Sequence, residues 1–236
     1  MEIAYLFHGH SRSWKSCYRN FFDNVYSQIP GDIFIHTWNT VNTNRGSYWN
    51  GWDDLTGKNL EESSKLADIS GIHASYNPKI LYIEQDKDPN VPIEYIKDHH
   101  FSRANLGVKN MLEGSRKIFE IARNYKKYDI YFSTRMDINY TEKFKVEELS
   151  KDHILCSNSR PDGIYDIWMA GPENYMDVKT KYYYFIDDYW YKKNYNEIFY
   201  ESALKEYLIG DNKIPVSISN SKCEIVRIFG NSTFVK

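Results

Sequence analysis

Two short apolar runs with a helical stripe between them constrain this chain more than any other feature. Ile3 to Phe7 is the first run, and it ends in His8-Gly9-His10-Ser11. Trp14, Cys17, Tyr18, Phe21, Phe22 and Val25 follow at spacings of three and four, the period of a helix with one apolar face. Ser11 or Ser13 is placed to cap that helix by accepting a hydrogen bond from its free amides. After the Pro30-Gly31 turn, Asp32 to Thr37 is the second run. Strand, loop, helix and strand make the opening unit of an α/β sheet.

The rest of the chain continues the alternation. Residues 39 to 77 are rich in Asn, Gly, Ser and Asp, with Trp49 and Trp52 among them, and read as a long surface excursion. One helical turn is expected near Leu60 to Ile69. Lys79 to Glu84 is a third strand, and Leu106 to Tyr125 carries the apolar stripe of an amphipathic helix. Asp129 to Thr134 is a central strand that runs into Arg135-Met136-Asp137-Ile138-Asn139. Further strands are expected at Ile154 to Ser157, Val216 to Ser219 and Glu224 to Phe229, with helices at Glu173 to Trp190 and Glu197 to Leu208. No repeat and no linker interrupts this, so one α/β domain over residues 1–236 is expected.

Composition removes several functions. Thirty Lys+Arg against 32 Asp+Glu leave a formal charge of −2, which argues against a general nucleic-acid binder. No apolar run approaches the roughly 18 residues of a membrane span, and Met1 to Leu6 reads as a strand rather than a signal peptide. Cys17, Cys156 and Cys223 are too few and too scattered for a disulfide framework, which favours a cytoplasmic setting. Aromatics reach 17% of residues, which reflects either an AT-rich genome that inflates Lys, Asn, Ile and Tyr together or a surface on which flat ligands stack.

Four places carry candidate chemistry. The His8 to Arg12 loop lies where open α/β sheets bind ligands, at the carboxyl end of a strand and the start of a helix. Gly9 lets a ligand approach the backbone, and Arg12 can fork onto phosphate oxygens. Neither a dinucleotide fingerprint nor a P-loop is present. Arg135-x-Asp137-x-Asn139 sets two oxygen donors two residues apart, suited to a hard divalent ion that also holds a diphosphate. His8-x-His10, with His36, His99 and His100 elsewhere, is a start for a metal-hydrolase site. The stretch Asp162 to Pro172 reads as a loop in which either Asp166, Tyr165 and Trp168 form a sugar acceptor site or Trp168 and Met169 belong to the core; Glu201 is a further acid on a late helix.

In order along the chain, Gly9-x-x-Arg12-Ser13-Trp14, then Asp32-Ile33-Phe34-Ile35-His36-Thr37-Trp38, then Arg135-Met136-Asp137-Ile138 resemble bacterial and viral polysaccharide glycosyltransferases of GT-A-like fold. Asp166 with Met169 to Asp177 is similar to the acceptor-side segment of that family, and Glu201-x-x-Leu204-x-x-Tyr207-Leu208 to its acid-bearing helix. His10-Ser11 replaces a frequent Gln-Leu pair, and Asn139 stands where the second acid of an Asp-x-Asp is usual.

The resemblance implies a Rossmann-like α/β domain with a mixed, mostly parallel central sheet flanked by helices. Residues 1–140 would form the nucleotide-sugar half and 141–236 the acceptor half. His8, Gly9, Arg12, Arg135 and Asp137 would bind the donor, with Mn²⁺ or Mg²⁺ held by Asp137 and Asn139. Tyr165 and Trp168 would contact a glycan acceptor, at most a peripheral membrane contact being needed, and Asp166 would be the base, with Glu201 as runner-up. A metal-dependent hydrolase using His8 and His10 and a non-catalytic carbohydrate-binding protein stay open as rivals.

Overall fold

A computed structural model describes residues 1–41, 65–85, 102–160, 163–192, 200–229 and 232–235. Trp49, Trp52, His99, His100 and Asp162 lie outside the described residues. In chain order the elements are β1 (Ile3–His8), α1 (Trp14–Phe21, continued by a wider π turn at Phe22–Tyr26), β2 (Asp32–Trp38), α2 (Ile69–Tyr76) and β3 (Ile80–Glu84). Then come α3 (Ser102–Tyr125), β4 (Ile130–Thr134), β5 (Ile138–Tyr140), β6 (Ile154–Arg160), β7 (Gly163–Gly171) and α4 (Glu173–Lys192). The chain closes with α5 (Tyr200–Lys205, widening to a π turn at Glu206–Asp211), β8 (Val216–Ile218), β9 (Cys223–Phe229) and β10 (Ser232–Val235).

Seven strands form one sheet in the order β3-β2-β1-β4-β7-β6-β8, and β10-β9-β5 form a small second sheet. The opening unit is as the periodicity predicts: β1 and β2 are parallel, with Ala4 opposite Asp32 and His8 opposite His36. β3 extends the sheet beyond β2 in parallel, and β4 returns to the other side of β1, also in parallel. That return makes a topological switch point between β1 and β4. β7 then runs antiparallel to both β4 and β6, and β8 is parallel to β6. The central sheet is therefore mixed and mostly parallel, with helices on its faces.

Side chains alternate across β1, which sorts the interior into two cores. Ile3, Tyr5 and Phe7 pack with Trp14 and Phe21 of α1, Ile72 and Tyr76 of α2, and Ile138 and Tyr140 of β5. Ala4 and Leu6 pack on the opposite face with Leu112 and Phe119 of α3, Met176 and Tyr182 of α4, and Leu204 of α5. The largest buried side chains are mainly aromatic, among them Trp168, Tyr5, Tyr76 and Phe132. Within the described residues much of the aromatic excess is core filling, with Phe7 edge-on to Phe21 at 4.9 Å and Phe132 stacked on Trp168 at 5.1 Å.

Three local expectations are corrected. Residues 163–171 are a strand, not a loop; β7 lies between β4 and β6, and burial on both faces erases the alternation that would have betrayed it. Of the turn expected near Leu60 to Ile69, residues 60–64 lie outside the described residues and 65–68 are not helical; helix α2 begins at Ile69, where the Asp68 side chain accepts from the Gly71 amide. Ser13 does not cap α1; its hydroxyl donates to the Val226 carbonyl of β9 and ties the helix start to the small sheet. No helix among the described residues is long and apolar enough to cross a membrane.

Candidate active site

The carboxyl ends of β1 and β4 flank the switch point, and the polar residues of both strand ends meet there. β1 ends at His8, and the chain leaves it through Gly9, whose φ of +110° lies in the region L side chains rarely adopt. That turn carries Arg12 back toward the neighbouring strand. β4 ends at Thr134 and passes into a turn holding Arg135 and Asp137, pinned by the Val226 amide donating to the Asp137 carbonyl at 2.8 Å.

Arg135 grips Asp137 with two bonds, Nε to Oδ1 at 2.9 Å and Nη2 to Oδ2 at 2.6 Å. Arg12 Nη1 approaches the same Oδ2 at 3.8 Å. The Asp137 side chain is only 2% exposed, whereas Arg12 and Arg135 keep 20% and 19% of theirs open. Two guanidiniums thus lie beside one buried carboxylate, and the charge of Asp166 also acts on Arg135. Asn139 belongs to β5, opposite Glu224 of β9. Both Asp137 oxygens are thus engaged by Arg135, and Asn139 brings a neutral amide rather than a second carboxylate. No group of three His, Cys, Asp or Glu suited to a metal occurs among the described residues.

A second, buried polar layer lies under the same strand ends, on the face of α3 and α4. His8 Nε2 is 3.0 Å from Ser133 Oγ. Burial and the charges of Lys179, Arg135 and His36 hold His8 neutral, its pKa well below the usual histidine value. Lys179 of α4 is 1% exposed and donates to Ser115 Oγ of α3 at 2.8 Å. Burial lowers its pKa, and the charge of Asp166 opposes that shift. Asp166 itself is half-buried on β7, past the end of β4, and accepts from the Tyr200 hydroxyl at 2.7 Å through Oδ2. Burial and the neighbouring Asp166 push the Tyr200 hydroxyl pKa well up, so it stays a donor.

The structure therefore brings His8, Arg12, Arg135, Asp137 and Asp166 into one neighbourhood. Glu201 lies against the start of β7, where a Cβ on Gly163 would stand 2.9 Å from Glu201 Cβ. Trp168 is elsewhere. It is fully buried, stacked on Phe132 and edge-on to Phe144, so it offers no face to an acceptor. Tyr165 is half-buried on the same strand. His10 stacks on Trp38 at 4.4 Å, and burial together with Arg12 lowers its pKa to about 3. His8 and His10 thus have separate neighbours, Ser133 and Trp38.

Sequence reasoning missed Ser115, Ser133, Lys179 and Tyr200. One signal was present: Lys179 interrupts the buried stripe Met176, Thr180, Tyr182 and Ile186 of α4, and a lone cation on a buried face needs a polar partner.

No known family model and no curated protein matches the sequence. Among solved structures, the apo form of the glycosyltransferase GlyE of Streptococcus pneumoniae TIGR4 is similar with a TM-score of 0.44 at 8% identity. The match covers 92% of this chain and 44% of that one, so the chain spans less than half the length of GlyE. A likeness that weak carries no functional weight.

Proposed function

We propose that the chain is a glycosyltransferase that moves a sugar from a nucleotide-sugar donor to a glycan or polysaccharide acceptor. The observation that carries this reading is the pair Arg12 and Arg135 at the switch point, with Asp166 on the adjoining strand and its partner Tyr200 on α5. Glycosyl transfer needs charge stabilisation for a departing diphosphate and a proton acceptor for the attacking hydroxyl. The two guanidiniums supply the first. Asp166 supplies the second: Tyr200 occupies Oδ2 and leaves Oδ1 for the acceptor hydroxyl.

In the reaction, the acceptor oxygen forms a bond to the anomeric carbon while the bond from that carbon to the diphosphate oxygen breaks. The hydroxyl proton passes to Asp166, and the electron pair leaves with the diphosphate toward Arg12 and Arg135. His8 is neutral and buried beside these groups, so it adds no charge of its own.

The test separates donor binding from chemistry. Asp166→Asn should bind a nucleoside diphosphate like the parent in calorimetry but lose roughly two to four orders of magnitude in product formation. Glu201→Gln should lose less. The opposite ranking would move the base to Glu201, and loss of donor binding in Asp166→Asn would make Asp166 structural.

A further inference from the structure

We propose that Arg12 and Arg135 take a diphosphate directly, with Asp137 as their buried counter-ion, so that binding requires no divalent cation. This rests on the donor reading above and adds how the donor's charge is met.

The exposure gradient carries the argument. The two arginine side chains, taken whole, keep about a fifth of their surface open, and the Asp137 carboxylate is 2% exposed. The carboxylate is thus covered more completely than the cations that hold it. Arg135 commits Nε and one Nη to Asp137 out of five N–H donors. Guanidinium geometry matches phosphate oxygens in the same forked way as it matches a carboxylate. For Asp137 to hold Mg²⁺ or Mn²⁺ instead, a buried two-bond ion pair must break, and the incoming dication must settle beside two positive side chains. Asn139 would assist only through an amide oxygen, which carries no charge. At the ion pair two guanidiniums face one carboxylate, so an anion that displaces Asp137 meets two cations there. The carboxylate's task is to keep the free site close to neutral.

Calorimetric titration of the full chain with inorganic pyrophosphate and with nucleoside diphosphates tests this, in EDTA and again in Mg²⁺ or Mn²⁺. Affinity in EDTA should lie within about threefold of that with metal; a larger gain with metal overturns the proposal. Removing Arg135 alone would strand a buried carboxylate, so Arg135→Gln is combined with Asp137→Asn. That double variant and Arg12→Ala should each weaken pyrophosphate binding by about tenfold or more, with unliganded melting close to the parent's. Unchanged pyrophosphate affinity in both overturns the clamp. Asp137→Asn alone should bind pyrophosphate at least as tightly as the parent, because it removes a competing anion. A tenfold loss confined to metal-containing buffer would make Asp137 a metal ligand. The two readings fail separately. Metal-free pyrophosphate binding with no nucleotide binding leaves the clamp standing and removes the transferase; nucleotide binding only with metal does the reverse.

Discussion

His8 sits fully buried at the end of β1, with Ser133 on one nitrogen and the charges of Lys179 and Arg135 nearby. Its pKa in the fold is depressed below its unfolded value, so the unfolded chain takes up the proton first. Stability from this group is therefore complete above the ordinary histidine pKa and is lost as pH falls through about 6.5. From pH 7 to pH 5 the loss is about 2 kcal/mol for a histidine that stays neutral in the fold. His8→Gln keeps a polar partner for Ser133 and removes the titration. Urea unfolding at the two pH values should show a smaller acid-induced loss in the variant by about that amount; equal losses would mean that a charged His8 is tolerated. Arg12, Arg135 and Asp137 were legible as residues because they stand beside strand ends. Lys179 and Tyr200 were not, because the meaning of each depends on a partner on another element.

Strands β1, β2 and β4 were legible because each is a short apolar run beside a clear helical period. β7 was not. Its Gly163, Asp166 and Gly171 imitate loop composition, while the sheet needs an extended segment there to join β4 to β6. Packing overrides the local signal, and Trp168 is the reason the strand holds. Its ring lies flat on Phe132, 18° from parallel, with Phe144 edge-on at 5.4 Å. Trp168→Ala should cost about 3–5 kcal/mol in denaturant unfolding, and Trp168→Phe clearly less. A loss under about 1 kcal/mol would mean that the site collapses around the missing ring. Helix α3 has a comparable constraint at Gly114, where a Cβ would stand 2.7 Å from His36 Nδ1. Gly114→Ala should destabilise by about 1–3 kcal/mol because both groups are held by packing.

β2 and β3 extend the sheet to one side of β1 and β4 to the other, so β1 and β4 bound the switch point, the place where open α/β sheets form a ligand crevice outside the strand ends. A ligand there touches the start of α1, the turn after β4 and the edge of β7 together. A nucleoside diphosphate at one hundred times its dissociation constant should stabilise the fold by about 2.7 kcal/mol, read as a rise in melting temperature. Arg12→Ala should reduce that rise at fixed ligand concentration, and no rise at millimolar nucleotide would remove the donor site from this crevice. What could be read along the chain was periodic and local: the β1–α1–β2 unit, the amphipathic α3 and α4, and the charged residues that follow β1 and β4. Periodicity reports which face of an element is apolar, and that is decided by side chains within a few turns of one another. It does not report which strands become neighbours. Arg12 reaches Asp137 only because β4 pairs with β1, and Tyr200 meets Asp166 only because α5 packs on β7. Those pairings follow from burying two apolar faces of one sheet at once, a condition satisfied by the assembled chain and by no segment of it.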